Sequence, residues 1–199
     1  VMPGVYKDGD IDLVGFMVGQ VNPDLKFNLN SVKNGDLLVG LSSNGLHTNG
    51  FSLVRSVFNL NNDSSSLYEI VPRTNRSLGS LLIAPHKNYK NVIYPINSIV
   101  KSLSHITGGG IIGNLPRSIP ENLGAEIIQN SWETPELFNF IQERGNIKIK
   151  EMFNVFNMGI GMIAVIDKKH KETIKKLIPD SRIIGVVTNN SSGEKIKFK

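Results

Sequence analysis

Residues Gly35 to Arg55 read GDLLVGLSSNGLHTNGFSLVR, and the order of residue types in this stretch decides what kind of fold the chain can have. Leu37 to Leu41 form a short apolar run broken only by Gly40, the pattern of a buried strand. A polar segment follows, Ser42-Ser43-Asn44-Gly45-Leu46-His47-Thr48-Asn49-Gly50, and Phe51 to Arg55 then opens a helix-like spacing. Strand, glycine-bearing turn and helix start open the alternation of strands and helices that, along the whole chain, reads as an α/β or α+β architecture. The same arrangement can present backbone N–H groups to an anion, with His47 mid-turn where its ring can reach a ligand. Ser, Asn and Gly are also ordinary turn formers, and a turn histidine can simply bond a carbonyl, so both readings stand at this point. The spacing matches neither GxxxxGK[ST] nor GxGxxG, and neither mechanism carries over.

A second unusual stretch runs from Ser104 to Arg117, SHITGGGIIGNLPR. Three consecutive glycines, Gly108, Gly109 and Gly110, leave backbone amides uncovered and cost ordering entropy, which suits either close approach of a ligand or a hinge. His105 and Thr107 precede them and Arg117 follows, which favours the ligand. Phe156 to Ile166, FNMGIGMIAVI, is a glycine-containing turn running into another buried strand.

The remaining chain alternates strand-like and helix-like segments. Ile11 to Val21 is apolar and predicts a buried strand; Asn22 to Lys33 is polar, with Asn22-Pro23 as a turn signal and domain boundary. The spacing predicts a loop over 59–66, a short apolar segment over 77–83 and a helix over 88–103 that Pro95 should kink. Leu123 to Ile128 reads as a strand. Residues 135–144 read as a helix with Thr134 as N-cap and Gly145 as its stop, and 148–153 as another. Lys168 to Ile178 reads as an amphipathic helix with Ile174, Leu177 and Ile178 inward. Final strands are expected over 183–187 and 195–198, around a turn at 189–193. Phe138, Phe156 and Trp132 are expected in the core.

Composition narrows the function classes. A chain of 199 residues, 40% hydrophobic and 20% charged, has the balance of a soluble globular protein. Cysteine is absent, which excludes a disulfide framework and thiolate metal sites. No apolar run approaches the ~20 residues of a membrane span, and a cytoplasmic setting is expected. The net charge of +5 is concentrated: residues 168–199 carry +6 and residues 1–167 carry −1. Lys168, Lys169, Lys171, Lys175 and Lys176 lie on one helix without interleaved aromatics, a solvated face rather than a nucleic-acid surface.

GDLLVGLSSNGLHTNGFSLVR, HITGGGIIGNLPRSIP and FNMGIGMIAVI, in this order and spacing, resemble the phosphoribosylformylglycinamidine cyclo-ligase (aminoimidazole ribonucleotide synthetase) family. MPGVYKDGDIDLVGF is similar to the segment that closes that family's N-terminal domain. The resemblance implies a C-terminal synthetase domain over 29–199, a mixed sheet flanked by helices, with 1–28 as the last strand of an N-terminal ATP-binding domain. It implies ATP-dependent ring closure of formylglycinamidine ribonucleotide, with Mg2+ held mainly by upstream carboxylates, and a homodimer formed through the upstream domain. The family's DGVGTK-like segment does not occur in 1–199, so the chain by itself is expected not to turn over.

Carried over by motif, His47 and His105 are the candidate proton carriers, as histidine titrates near neutral pH. Ser43, Asn49, Gly50, Thr107, Gly108, Gly109, Gly110 and Asn114 are candidate substrate- or nucleotide-binding residues. Arg117 is a candidate phosphate clamp. No metal ligand is expected in this portion. Pro85-His86-Lys87-Asn88-Tyr89 departs from the family's usual Pro-Thr-Arg, and Gly113 stands where Glu is frequent. Formylglycinamidine synthetases, thiamine-phosphate kinases, hydrogenase maturation proteins and a non-catalytic domain remain the alternatives.

Overall fold

The computed structural model describes residues 11, 13–23, 26–190 and 193–199. Its eight strands are β1 (Leu37–Ser42), β2 (Ile70–Val71), β3 (Arg76–Ser77), β4 (Val100–His105), β5 (Leu123–Ile127), β6 (Ile160–Ile166), β7 (Arg182–Asn189) and β8 (Ile196–Phe198). The helices are α1 (Phe51–Val57), α2 (Leu78–Leu82), α3 (Lys90–Ile93), α4 (Gly110–Asn114), α5 (Glu136–Gly145), α6 (Ile149–Val155) and α7 (Lys171–Leu177). Six strands form one mixed sheet in the order β4-β6-β1-β7-β5-β8, while β2 and β3 make a small hairpin. Every pairing is antiparallel except β5 with β8. No helix among the described residues is long and apolar enough to cross a membrane.

The apolar run in β1 is explained by its place between β6 and β7. Leu38 packs into one core cluster with Ile163, Val165 and Ile184, while Val39 and Leu41 join another with Ala164, Ile96 and Ile174. Both faces are therefore covered, and a strand covered on both faces reads as continuous rather than alternating apolar sequence. Gly40 has no side chain because a Cβ there would lie 2.7 Å from Ile184 Cγ2. A third cluster gathers α1, α2, α5 and α6 around Val54, Leu82, Phe138, Ile141, Met152 and Phe156. Phe138 and Phe156 are core as expected, and Trp132 is partly buried, its indole N–H donating to Met158 O at 2.8 Å.

Four expectations are corrected. Ile11 and 13–21 form no strand, and Leu13, Phe16 and Met17 are each 92% exposed. An apolar run becomes a strand only where another edge pairs with it, and no described strand lies alongside. The helix expected over 88–103 is only α3 and a 3-10 turn at Tyr94–Ile96; β4 follows, alternately burying Val100, Ser102 and Ser104. Thr134 does not cap α5, whose N-cap is Pro135, and the helix stops on left-handed Asn146 rather than on Gly145. Leu177 is 47% exposed, whereas Ile174 is fully buried. The MPGVYKDGD segment and part of the 189–193 turn lie outside the described residues.

The topology brings the two singled-out loops together. β1 and β4 both pair antiparallel with β6, so they run parallel to each other on either side of it. Ser42 is opposite Ile160 and His105 opposite Met162. The chain therefore leaves both strands at the same end of the sheet, flanking the turn that enters β6.

Candidate functional site

The loop after β1 is tied down at several points. Ser43 N–H donates to Gly159 O at 2.8 Å, and its hydroxyl donates to Asn157 Oδ1 at 2.8 Å. The buried Asn157 returns its amide N–H to Gly45 O at 2.9 Å and accepts from Gly159 N–H at 2.9 Å. One side chain thus joins the β1 loop to the turn before β6. His47 then takes a left-handed backbone conformation, φ 58°, which turns its ring inward until the residue is 5% exposed. At the strand end, Lys87 and Tyr89 both donate to Ser42 O, at 3.0 and 2.9 Å.

The glycine loop after β4 is organised by Asn114. Its amide N–H groups donate to Thr107 O, Gly108 O and Gly110 O, and its Oδ1 accepts from Thr107 Oγ1 at 3.0 Å. Asn114 and Thr107 therefore shape the loop from beneath. Gly110 is demanded by packing, since a Cβ would lie 1.9 Å from Phe153 O at φ 57°. Gly50 is demanded in the same way by the Phe156 ring, 2.2 Å from its Cβ position. Gly108 and Gly109 are exposed, and Asn49 Oδ1 from the first loop lies 3.4 Å from where a Gly108 Cβ would sit. The two loops thus meet through Asn49 and Gly108.

Three imidazoles gather where the loops meet. The His86 ring stacks on His47 with centroids 4.0 Å apart and planes 24° from parallel. His86 Nε2 and His105 Nε2 are 3.2 Å apart. His47 Nε2 lies 3.0 Å from Asn44 Oδ1 and also accepts from the Asn44 backbone N–H at 3.4 Å, so Asn44 holds the ring from two atoms. Its Nδ1 is buried with no hydrogen-bond partner. Burial, followed by the charges of His86, His105 and Lys87, pulls the His47 pKa down to about 4. Burial and His86 also lower that of His105. Both rings are therefore neutral at pH 7, with lone pairs able to accept a proton. Gly161 keeps this space open, since a Cβ there would meet Tyr89 OH at 2.1 Å and His47 Cε1 at 2.5 Å.

Of the sequence candidates, the fold gathers His47, Asn49, His105 and the Thr107–Gly110 loop, while Ser43, Gly50 and Asn114 serve the loops from below. Arg117 is exposed in the turn Leu115–Ser118, whose Ser118 hydroxyl bonds Leu103 O, two residues before His105. It is set back beside the middle of β4. Sequence reasoning did not place His86 or Asn157 in the site. His86 reaches it from a loop 39 residues beyond His47, with no local pattern to announce the contact, whereas Asn157 sits inside a motif already singled out.

The family model described as "AIR synthase related protein, C-terminal domain" matches residues 33–197. A phosphoribosylformylglycinamidine cyclo-ligase from Bacillus pumilus is 44% identical over 99% of this chain and 58% of its own length. One from Prochlorococcus marinus is 41% identical over 99% of this chain and likewise 58% of its own. The chain thus spans somewhat over half the length of these curated relatives. Among solved structures, thiamine-monophosphate kinase from Stenotrophomonas maltophilia superposes with a TM-score of 0.56 at 12% identity, covering 91% of this chain and 55% of its own. The hydrogenase maturation protein HypE of E. coli gives 0.54 at 15% identity, covering 87% and 49%. At such identities these two show the fold alone.

Proposed function

Because this chain belongs to the AIR synthase related protein, C-terminal domain family, we propose that it supplies the substrate-facing loops of an ATP-dependent cyclo-ligase. That enzyme converts formylglycinamidine ribonucleotide to aminoimidazole ribonucleotide in purine biosynthesis. The observation that carries the reading is the convergence of His47 and His105 on one end of the sheet, the first buried and the second exposed, with the pKa of each lowered. Cyclo-ligase relatives about 40% identical over nearly the whole chain support it.

The chemistry asks for two things from these residues. The amide oxygen takes the γ-phosphoryl group of ATP and ADP leaves; the amidine nitrogen then attacks the same carbon and phosphate departs. The attacking nitrogen must lose a proton, and a neutral imidazole at His47 or His105 accepts it. The exposed Gly108 and Gly109 let a phosphate oxygen approach the backbone closely, with Asn49 across from them.

Magnesium does not fit the histidine cluster. Mg2+ takes oxygen ligands in octahedral geometry, and the gathered side chains here are three imidazoles beside the Lys87 ammonium. No step is derived through it at this site. The reading assigns its ligands to an upstream ATP-binding domain, with residues 1–28 as the end of that domain and 29–199 as the synthetase domain. The exposed apolar residues from Leu13 to Val21 support that division, since they are the kind of surface another domain covers. A homodimer formed through that domain and a cytoplasmic setting complete the proposal.

The test is turnover by the full-length enzyme carrying this chain, following ADP and aminoimidazole ribonucleotide together. Stoichiometric formation of both supports the reading. ADP release without ring closure, on this substrate, removes it.

A further inference from the structure

We propose that His47, His86 and His105 form a binding site for one divalent transition-metal ion of the zinc(II) type. The three residues come from separate segments, the β1–α1 loop, the loop between α2 and α3, and the end of β4. One ring nitrogen from each lies within 4.8 Å of the other two. This proposal concerns an ion other than the nucleotide's magnesium; a bound ion would occupy the His47 and His105 lone pairs that the cyclo-ligase reading assigns to proton acceptance, so the two describe alternative states of one site.

Geometry and ligand chemistry both favour such an ion. The 3.2 Å between His86 Nε2 and His105 Nε2 is close to a ligand edge. A zinc ion with bonds of about 2.0–2.1 Å at tetrahedral angles spaces two nitrogens about 3.3–3.4 Å apart. Three imidazoles with no carboxylate among them select zinc, copper or nickel over magnesium or calcium. His47 is oriented by its Asn44 contact, the kind of outer partner that fixes a ligating imidazole. Its other nitrogen, Nδ1, is buried and unpartnered. The ring that must move is His86, which stacks on His47 and has to turn to aim its lone pair. It is exposed on its loop, so the turn meets little packing. The Lys87 ammonium opposes a cation here, but it is already drawn to Ser42 through its carbonyl and its hydroxyl at 3.0 and 2.9 Å.

Such an ion would clip two loops to the end of β4 and leave a fourth position open to solvent or a ligand atom, as three-histidine zinc sites do. The experiment titrates the purified chain with zinc(II) against a chromophoric chelator and, in parallel, with cobalt(II) read by visible absorption. One ion per chain is expected, with the intense d–d bands of a four-coordinate cobalt site. His86→Gln, at an exposed position that leaves the fold intact by circular dichroism, should weaken zinc binding at least about 100-fold and abolish those bands. His170→Gln, on the basic C-terminal segment, should change neither. Absence of a stoichiometric site, wild-type affinity in His86→Gln, or loss of binding in His170→Gln would each overturn the proposal.

Discussion

Asp36, one residue before β1, is 1% exposed, and both of its carboxylate oxygens lie 2.8 Å from the Lys101 ammonium. A further N–H, from Lys33, donates to Asp36 Oδ2 at 2.8 Å. His47, five residues after β1, is almost as buried at 5%, yet its Nδ1 has no partner and its neighbours are two more imidazoles and an ammonium. The same strand thus carries a satisfied buried charge at one end and an unsatisfied buried base at the other. Burying a polar group costs free energy unless it is matched. The matched end is scaffold; the unmatched end is where a ligand can complete the hydrogen-bonding or an ion can take up the free lone pair.

The contrast can be broken at either end. The largest effect is expected for Gly110→Ala at the histidine end, because the added Cβ meets Phe153 O and the backbone is left-handed. A loss of more than about 4 kcal/mol is expected, read by denaturant unfolding or as failure to accumulate folded chain. Lys101→Met at the other end strands the Asp36 carboxylate, and about 3–5 kcal/mol should go. Asp36→Asn added to it should recover part of that loss, since the stranded charge is then gone.

The third effect depends on pH. His47 titrates near 4 in the folded chain and at 6.5 in the unfolded one. Between those values the unfolded chain binds more protons, so stability falls as pH drops from 6.5 towards 4, by roughly 2 kcal/mol from this residue. His105 contributes in the same direction. Subtracting the His47→Gln unfolding curve from the wild-type curve across that window should isolate the His47 share. A flat difference would mean the ring is solvated. The smallest effect is at Gly113, inside α4, where an added Cβ meets nothing within 4 Å. Gly113→Ala should gain about 0.5–1 kcal/mol, three residues from a glycine that tolerates nothing.

Sequence reading recovered what is encoded locally. The apolar runs at 37–41 and 160–166 are strands, as is 123–127 of the run expected over 123–128, and the glycine motifs are the loops that gather at one end of the sheet. It failed where the outcome is decided by a partner distant in sequence. Leu13 to Val21 is as apolar as β1 but has no described neighbouring edge to pair with. Val100, Ser102 and Ser104 alternate as a strand only because β6 lies beside them; the same segment, with Val92, Ile93, Ile96 and Leu103, also satisfies a helical spacing. In the site, His47 and His105 were legible from motifs. His86 was visible only as a departure from a family pattern, and its role in the cluster comes from folding alone. Asn114 was read as a ligand contact, yet its amide is committed to three carbonyls of its own loop.

The most direct test of the central claim, that the unmatched end of β1 is where proton transfer occurs, is kcat/KM of the full-length enzyme with His47→Gln. The account predicts a fall of about 10²–10⁴ with circular dichroism unchanged, the range that a positioned proton acceptor contributes. Unchanged kcat/KM would contradict it and return His47 to the scaffold.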